Sequence, residues 1–587
     1  MKYIVQSVVV VVLAICFMSC VAENDYVLPT PENDEPDHPV WTFNPNEKEL
    51  GTDDFYTFDI KPDYSELKEK VYTDSLKKMY VENSKFIDTI NITYNGNKAV
   101  VGGGNPANFS AQTNGAHVTI TTMGDVALNL SGTSENGSLK ILGEKKVRIN
   151  LKGVNLKNPK GPAINNQSIE RCFIVTDSNS VLRDDSLYAE VPEEEKQKGC
   201  VCSNGSMSIS GKAPLKIVAN GANAIHSGKT IFVRRGSYID IESHAGSAIK
   251  AKNKVKIEGG VININSTGRG GHGIAANKEV LISGGRTTII SNSGLSKDGK
   301  NSRGIKSDSI ISITGGIVRV KESSLGGKGI RAEHKFYAKN CIIDVLTFGQ
   351  EDKSTGSKNR GIKADDEIRI DSARVRVRTE NGLSESLSSR FKIIVNNSLV
   401  ELKSQDDAFS AGETGVADIE INNGHIFADA GNDALDSNGS IHINDGILFL
   451  MGRSRIGRGM DCDFDEFRIG PNATVVSLGK VTSRPTYDLL EHPACLSTRL
   501  TSDTLLCIST TGENDNLICY NTPKFWFAGS YKALINVPEF KKNVSYDFCR
   551  SAIVKPKHTF HGLMIGGTAQ DKKVINKHTF TRTFNIF

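Results

Sequence analysis

The chain has 587 residues with 55 glycines and 7% aromatic residues, so it is long enough for several domains and its composition favours a repetitive fold. Its formal net charge of +4 predicts no overall affinity for nucleic acid or for membrane surfaces. The charges are unevenly distributed. Residues 21–94 hold 17 acidic and 7 basic residues, a net of −10, whereas residues 223–380 hold 28 basic and 16 acidic residues, a net of +12.

The first 20 residues, MKYIVQSVVVVVLAICFMSC, have one lysine and then an apolar run, which is typical of a secretory signal and too short to favour a membrane span. The run ends in FMSC, which resembles the lipobox of bacterial lipoproteins and predicts a lipid on Cys20. A plain cleaved signal with an incidental Cys20 is the alternative. We expect membrane contact through the lipid anchor only.

Residues 21–64 are acidic and rich in proline, and they have few apolar residues, so they predict a disordered tether. Acidic residues directly after the lipidated cysteine resemble a surface-export signal, and we therefore expect an outer membrane lipoprotein exposed at the cell surface. Residues 65–80, SELKEKVYTDSLKKMY, have a helical pattern. We expect an N-terminal helical segment at residues 65–89, either as a cap on the following domain or as a free helix.

A turn phrase recurs through the middle of the chain, as in SRGIKSDSIISITGGIVRV (residues 302–320) and NRGIKADDEIRIDSARVRV (residues 359–377). Most of its repeats are separated by 24 or 25 residues, and two longer gaps contain the polar inserts GLSKDGKN and GQEDKSTGSKN. The apolar anchors of the phrase are Val201, Ile225, Ile249, Ile274, Ile305, Ile330, Ile362, Leu387, Phe409, Leu435 and Met460. A fixed period of this length is the signature of a solenoid.

Within each repeat the apolar residues alternate with period two, and Gly-Gly pairs such as Gly315-Gly316 mark a corner. These features predict an all-β protein, a right-handed single-stranded parallel β-helix over residues 90–480, with the anchors as an inward ladder. We expect Gly304, Gly329 and Gly361 to permit tight backbone turns. A propeller needs a longer period and fits worse.

The period disappears after about residue 480, and residues 481–587 predict a small C-terminal β unit. The cysteines have irregular spacing without a CxxC pair, so neither zinc nor a redox motif is indicated. Buried thiols are the simplest interpretation. A Cys507–Cys519 or a Cys519–Cys549 disulfide is an open alternative.

Three stretches carry a family resemblance: LNLSGTSENGSLKILGEKKVRINLKGVNLKNPKGPAINN, the repeated turns with their Gly-Gly corners, and TPKFWFAGSYKALINVPEFKKNVSYDF. Over residues 90–565 the chain resembles the bacterial cell-surface carbohydrate-binding β-helix family, which is similar in fold to pectate lyases. The resemblance implies a calcium-carrying β-helix without firm catalytic activity that binds acidic polysaccharide such as polygalacturonate, or cellulose. The family's turn is Asp-Gly-Ile, but most of the turn aspartates are replaced here.

Basic residues occupy two positions of the central turns, two residues before the anchor and one residue after it. Because equivalent residues of successive coils stack about 5 Å apart, they predict a basic strip that attracts polyanions. The candidate ligand-binding residues are Arg303, Lys306, Lys328, Arg331, Arg360 and Lys363. A solvated basic face is the alternative, with its charges offset by Asp308, Glu333, Asp365 and Asp366.

The last coils, DDAFSAG, NDALDSNG and RGMDCDFD, are acidic instead. Carboxylates stacked across one coil spacing favour a hard cation with oxygen ligands, most naturally calcium. The candidate metal ligands are Asp407, Asp433, Asp436, Asp461 and Asp463, with Asp406 and Asp465 as further oxygen donors. An acidic patch partly neutralised by Arg453, Arg455 and Arg458 is the alternative.

Three functions are consistent with these patterns. The first is a non-catalytic surface lipoprotein that binds an acidic, uronate-containing polysaccharide, with calcium at the C-terminal coils. The second is a calcium-dependent polysaccharide lyase, which needs calcium and a basic residue as the proton acceptor, and Arg458 beside Asp433 and Asp461 is its best candidate site. The third is a structural or adhesive rod. The basic strip and the acidic coils are expected to lie apart, without a compact motif that joins them.

Overall fold

The computed structural model describes residues 77–587 apart from residues 297, 464–465, 487–488, 501, 525–529 and 552. All of the described residues belong to one compact unit. The predicted signal peptide, Cys20 and the acidic tether lie outside the described residues, as do residues 65–76 of the predicted helical segment and Asp465. Within the described ranges, no helix combines the length and the apolar character needed to cross a membrane.

Strands make up almost all of the regular structure in the described chain. The N-terminal region has β1 (Asp88–Asn95), β2 (Lys98–Gly102), β3 (Phe109–Asn114), β4 (Ala116–Thr122), β5 (Val126–Ser134), β6 (Gly137–Leu142) and β7 (Val147–Asn158). Strands β4 to β7 form the first two coils of a parallel β-helix, because β4 pairs with β6 and β5 pairs with β7, both in parallel.

Twelve coils of three strands follow, which gives 14 coils with the first two. In chain order they are β8 (Ile164–Asn166), β9 (Cys172–Ser178), β10 (Ser180–Asp184); β11 (Gly199–Ser203), β12 (Met207–Gly211), β13 (Pro214–Ala219); β14 (Asn223–Ser227), β15 (Thr230–Val233), β16 (Tyr238–Ser243); β17 (Ile249–Ala251), β18 (Lys254–Ile257), β19 (Val261–Ser266); β20 (His272–Ala276), β21 (Glu279–Ile282), β22 (Arg286–Ser291); β23 (Arg303–Ser307), β24 (Ile310–Ile313), β25 (Ile317–Glu322); β26 (Lys328–Ala332), β27 (Lys335–Lys339), β28 (Ile342–Thr347); β29 (Arg360–Ala364), β30 (Glu367–Asp371), β31 (Arg374–Thr379); β32 (Glu385–Ser389), β33 (Lys392–Asn396), β34 (Ser398–Ser404); β35 (Phe409–Ala411), β36 (Asp418–Ile421), β37 (Gly424–Ala430); β38 (Leu435–Ser437), β39 (Ser440–Ile443), β40 (Ile447–Gly452); β41 (Met460–Cys462), β42 (Phe467–Ile469) and β43 (Thr474–Gly479).

The three strands of each coil define three faces of the β-helix. The first face is a 15-stranded sheet that contains the first strand of every coil together with β3, β4 and β6. The second and third strands form the second and third faces, which belong to one 31-stranded sheet. They are joined at the N-terminal end, because the long strand β7 pairs with β9 through its first half and with β10 through its second half.

The predicted anchor ladder is confirmed. Each anchor pairs with the anchor of the next coil in the first face, as Ile305 does with Ile330 and Ile330 does with Ile362. All three of these side chains are fully buried. Burial of one large apolar side chain per coil stabilises the stack by about 2 kcal/mol per anchor. The parallel β-helix predicted from the period is therefore the fold of this chain.

The glycines before the anchors have a different role from the predicted one. Gly329 lies inside β26 without a positive φ, and a Cβ atom there would come within 2.3 Å of Val345 Cγ1. This glycine is required by the close approach of the third face. The left-handed conformation belongs instead to the corner glycines, such as Gly316 with a φ of 76°.

Both ends of the β-helix are closed by antiparallel strands. At the N-terminal end, β1 pairs with β2 and β3 pairs with β4 in antiparallel fashion. At the other end, β47 pairs in antiparallel fashion with the last coil strand, β43. These pairings occupy backbone groups that an open coil would leave exposed, and they block end-to-end association.

The described part of the predicted helical segment has two 3₁₀ turns, at Lys77–Met79 and Val81–Asn83. They lie against the second face rather than at the end of the rod. The Tyr80 hydroxyl donates to Glu258 at 2.8 Å, and the Tyr80 ring packs edge-on against Phe232 at 5.5 Å.

The C-terminal unit contains β44 (Ala494–Leu500), β45 (Thr504–Thr510), β46 (Asn516–Thr522), β47 (Tyr531–Asn536), β48 (Ser545–Arg550), β49 (Ile553–Lys555), β50 (His558–Phe560), β51 (Leu563–Ile565), β52 (Thr568–Gln570), β53 (Lys573–Thr579) and β54 (Phe584–Ile586). Its apolar side chains pack on the outside of the third face, where Phe427 and Phe449 join the same core cluster as Ile508 and Tyr520. The unit contains the Cys507–Cys519 disulfide, the first of the two predicted alternatives.

Candidate functional site

The first face carries two outward columns of side chains, set by the pairing of its strands. In one column Arg303 pairs with Lys328, and Lys328 pairs with Arg360. The other column, on the far side of the anchors, contains Lys306, Arg331 and Lys363 in the same three coils. The structure therefore brings all six predicted ligand-binding residues together as one basic strip.

Carboxylates offset part of the charge on this strip. The Lys306 Nζ lies 2.5 Å from Asp308 Oδ1. The Arg331 guanidinium lies 2.6 Å from both Glu333 and Asp365, and its side chain is buried. Arg303 and Lys363 have no ion pair within the described part of the chain, so these two carry the uncompensated charge of the strip.

Lys328 is the most enclosed lysine of the basic strip. Its Nζ donates to the Gly326 carbonyl at 3.3 Å and to Ser357 Oγ at 2.8 Å. Ser357 belongs to the second polar insert, which folds over this edge of the first face. Burial, followed by the positive charge of Arg303, lowers the pKa of Lys328 to about 6. At neutral pH this amine is therefore mostly uncharged, and the insert shields it from solvent.

Three coils further along the first face the outward side chains become acidic. Asp436 pairs directly with Asp461 in adjacent strands, and Asp433 lies beside them. One carboxylate oxygen from each of these three residues lies within 4.8 Å of the other two. We call this group the distal triad. Asp463 is exposed and lies outside it.

A second group of carboxylates lies between the distal triad and the basic strip. It contains Glu385, Asp406 and Asp407, whose carboxylate oxygens also lie within 4.8 Å of one another. We call this group the proximal triad. The two triads are in contact through the backbone, since the Asp433 amide donates to Asp407 Oδ1 at 3.0 Å.

Burial and mutual repulsion raise the pKa values of the triad carboxyls. Burial, then the charges of Asp436 and Asp406, raises the pKa of Asp407 to about 8. The pKa of Asp436 rises to about 7 through burial and the charge of Asp433, and that of Asp433 rises to about 6 through burial. Such shifts mark a cluster whose negative charge lacks sufficient compensation from the protein.

The proximal and distal triads together form one row of carboxylates on the first face, which we call the carboxylate row, and a basic group lies at each end of it. Arg360 Nη2 lies 2.5 Å from Glu385 Oε1, with both side chains about 90% buried. At the far end, the Arg458 guanidinium is paired with Asp461, and the Arg458 amide donates to Asp433 Oδ1 at 2.6 Å. The expected separation of the basic strip from the acidic coils is therefore wrong, because Glu385 joins them on one continuous face.

Sequence reasoning did not identify Glu385, although the signal was present. It stands two residues before the anchor Leu387, at the position that Arg360 occupies one coil earlier. The weak match of this coil to the turn phrase concealed that equivalence.

The donor set of the triads fits a hard cation. All six groups are carboxylates, and oxygen ligands are what calcium prefers. The carboxylate oxygens lie close together and their pKa values are raised, so Arg360 and Arg458 do not fully compensate the negative charge. A bound divalent cation would relieve the remaining repulsion. Of the predicted ligands, Asp407, Asp433, Asp436 and Asp461 lie in the triads, and so does Asp406, which was predicted as a further oxygen donor.

Comparisons with known proteins identify the family of the chain. No curated protein matches it. A solved structure described as "Structure of the polysaccharide lyase-like protein from C. thermocellum, Gadolinium derivative" is 21% identical and covers 48% of this chain and 96% of its own, with a TM-score of 0.33. Residues 114–452, more than half of the chain, match the family described as "Carbohydrate-binding domain-containing protein". The chain therefore belongs to this carbohydrate-binding domain-containing family.

Proposed function

We propose that this protein is a non-catalytic surface lipoprotein that binds acidic, uronate-containing polysaccharide on its first face, with calcium held by the two carboxylate triads. Family membership supports the carbohydrate-binding role. The finer proposal depends on one observation, that the carboxylate row and the basic strip are continuous on one face. Such a face presents both signs of charge to a chain of repeated carboxylates.

Calcium, when bound, supplies a hard positive centre that accepts carboxylate and hydroxyl oxygens from a ligand. The residues that would hold it are Glu385, Asp406 and Asp407 in the proximal triad and Asp433, Asp436 and Asp461 in the distal triad. With their charge neutralised, the first face no longer repels a polyanion at this end. The uncompensated basic residues Arg303 and Lys363 would then attract uronate groups further along the same face.

Binding without cleavage is favoured by the position of Lys328. The pKa of this amine lies near neutral pH, as a polysaccharide lyase needs for its proton acceptor. Its Nζ, however, donates hydrogen bonds to Gly326 and Ser357 beneath the polar insert. The amine is therefore shielded from a polymer lying on the first face. Lyase activity remains the alternative outcome of the test described below.

Lipid attachment at Cys20 is part of the same proposal and places the binding domain on a tether at the outer membrane. The supporting observations are the apolar leader and the FMSC sequence at its end. Mass spectrometry of the mature N-terminus checks this step, with Cys20→Ala as the comparison. An unmodified Cys20 in the membrane fraction would contradict it.

Calcium binding is tested by isothermal titration of the mature chain with calcium. We expect binding by the wild-type protein, loss of the distal-triad contribution in Asp436→Asn, and full retention in Asp515→Asn, which removes a similar charge from an exposed site in the C-terminal unit. Chelation should lower the melting temperature of the wild type and of Asp515→Asn, and should lower that of Asp436→Asn less. No calcium heat, together with an unchanged melting temperature after chelation, would contradict the metal site.

Glycan binding is tested with polygalacturonate and with its methyl-esterified form, each with calcium and with a chelator. We expect calcium to strengthen binding of the acidic polymer and Asp436→Asn to reduce this calcium-dependent gain. The absorbance of unsaturated uronide is recorded on the same samples. Binding without this product supports the proposal, product formation supports the lyase, and the absence of both supports a structural rod.

A further inference from the structure

A separate cleft lies on the third face, around the corner from the carboxylate triads. It has a volume of about 690 Å³, which is within the usual range for small-ligand sites. Its walls come from the ends of β31, β34 and β37 and from the residue after β40, in four successive coils. We call it the third-face cleft.

The side chains of this cleft combine a net positive charge with both hydrogen-bond donors and hydrogen-bond acceptors. Three basic residues face two acidic ones, a net of +1. Arg378 is paired with Glu380 at 2.6 Å, and Arg453 is paired with Asp429 through two nitrogens. Lys403 is therefore the residue whose charge remains available to a ligand.

Lys403 is exposed, and its Nζ lies 5.9 Å from the centre of the Phe427 ring. No carboxylate pairs with it among the described residues. Gln405, two residues later, is also exposed at the rim of the same cleft. A free ammonium over an aromatic ring, with an amide beside it, is suited to bind a carboxylate and an adjacent hydroxyl.

The floor of the cleft is held in place by the C-terminal unit. The Tyr531 hydroxyl donates to the Arg453 carbonyl at 3.1 Å, and Arg453 Nη1 donates to the Lys524 carbonyl at 3.3 Å. Because both partners of the Arg453–Asp429 pair are fixed before a ligand arrives, little side-chain entropy is lost there on binding.

We propose that the third-face cleft binds a short segment of an anionic oligosaccharide, with Lys403 contacting a uronate carboxylate and Gln405 a neighbouring hydroxyl. This inference rests on the proposed uronate specificity of the protein, but it assigns a second site that is distinct from the first face. The paired groups Glu380 and Asp429 supply acceptors for sugar hydroxyls. A cationic cleft with these acceptors distinguishes an acidic sugar from a neutral one mainly through Lys403.

The two sites share the same turns of the chain. Ser404 and Gln405 line the cleft, and Asp406 and Asp407 follow directly in the proximal triad. One coil later, Asp429 lines the cleft and Asp433 belongs to the distal triad. A polysaccharide held by the first face is therefore expected to reach the cleft by passing around one corner of the β-helix.

The test is calorimetry of the mature chain with a short oligogalacturonate in the presence of a chelator, which removes the contribution of calcium at the triads. We expect measurable binding by the wild type, about tenfold weaker binding by Lys403→Ala, and recovery in Lys403→Arg. Gln405→Ala should weaken binding less. The methyl-esterified oligosaccharide should bind as weakly to the wild type as the acidic one binds to Lys403→Ala.

Lys321 provides a matched control, since it lies on the same column of the third face as Lys403 and its Nζ is 5.5 Å from the centre of the Phe348 ring. Lys321→Ala should bind like the wild type. Equal affinities for Lys403→Ala and the wild type would contradict the proposed site in the cleft, but they would not contradict the calcium-dependent binding of the polymer on the first face. If the wild type does not bind oligogalacturonate in the presence of the chelator, the proposed site in the cleft is also wrong. If it does not bind with calcium either, the proposed function is wrong as well.

Discussion

Arg360 and Glu385 form an ion pair at 2.5 Å at the boundary between the basic strip and the carboxylate row of the first face. Arg360 also donates from Nη1 to the carbonyls of Asn359 and Leu383. This one guanidinium therefore compensates a buried carboxylate and fixes the turn that leads into the acidic coils. Its removal would leave Glu385 beside Asp406 and Asp407 without its ion-pair partner.

Arg360→Met is accordingly expected to lower the free energy of unfolding by about 3–5 kcal/mol in the presence of a chelator, because it leaves the buried Glu385 carboxylate without its ion-pair partner. Urea denaturation at neutral pH measures the loss. Calcium should recover part of it if the proximal triad binds the ion. Arg390→Met is the control, since Arg390 also pairs with a glutamate, Glu413, but is exposed, and it should leave stability nearly unchanged.

The fold could be predicted from the sequence because every coil repeats the same pattern of apolar and polar residues. An apolar anchor such as Ile305 must be buried, and in a stack of equal coils it can be buried only against its equivalents in the neighbouring coils. Alternation with period two then decides which side chains face outward. The pairing of Arg303 with Lys328 follows directly from that register.

The burial of the basic strip could not be predicted in the same way, because it depends on contacts outside the repeat. Ser357 lies in an insert whose path is not set by the period, and it encloses Lys328. A ladder of polar side chains at the corner between the second and third faces was also missed. There Asn422 donates to Asn396, and Asn444 donates to Asn422, at 2.8 and 2.6 Å.

The close approach of the first and third faces predicts that Gly329→Ala is destabilising. The added methyl group would lie 2.3 Å from Val345 Cγ1 and 2.8 Å from the Gly361 carbonyl oxygen, so the two faces would have to move apart. A loss of about 1–3 kcal/mol is expected from such overpacking, measured by urea denaturation. Gly102→Ala has no atom within 4 Å of the added group and no positive φ, so a similar loss there would contradict this explanation.

Three cysteines lie in one row across adjacent antiparallel strands of the C-terminal unit, with Cys507 in the middle. It pairs in register with Cys519 on one side and with Cys549 on the other, and the disulfide is Cys507–Cys519. Cys519→Ala is therefore expected to give a Cys507–Cys549 disulfide under oxidising conditions, detected by mass spectrometry of a non-reduced digest.

The opposite substitution is the control for this prediction. In Cys507→Ala, the remaining Cys519 and Cys549 are separated by two strand spacings, about 10 Å, which is beyond the reach of a disulfide. No intramolecular bond between them should form. A Cys519–Cys549 bond in this variant would show that the strands of the C-terminal unit rearrange.

Glu322 provides a pH-dependent contribution to stability that is separate from the triads. Its carboxyl is fully buried at the end of β25, and Oε1 accepts a hydrogen bond from the Ser324 amide at 2.8 Å. Burial raises its pKa from 4.5 to about 7, against the smaller opposing effects of Ser324, Ser291 and Arg303. The folded protein therefore retains a proton on Glu322 at pH values where the unfolded chain has released it.

A raised pKa in the folded state gives a contribution that is complete below the ordinary pKa of the carboxyl and is lost as the pH rises through the folded-state value. The free energy of unfolding of the wild type, measured relative to Glu322→Gln, should thus decline between about pH 4.5 and pH 7 and then level off. Glutamine retains the shape and acceptor of the protonated side chain but cannot titrate. Urea unfolding across this range measures the difference, with Glu190→Gln as the control for loss of an exposed carboxylate. Parallel curves for the wild type and Glu322→Gln would mean that this carboxyl does not titrate with folding.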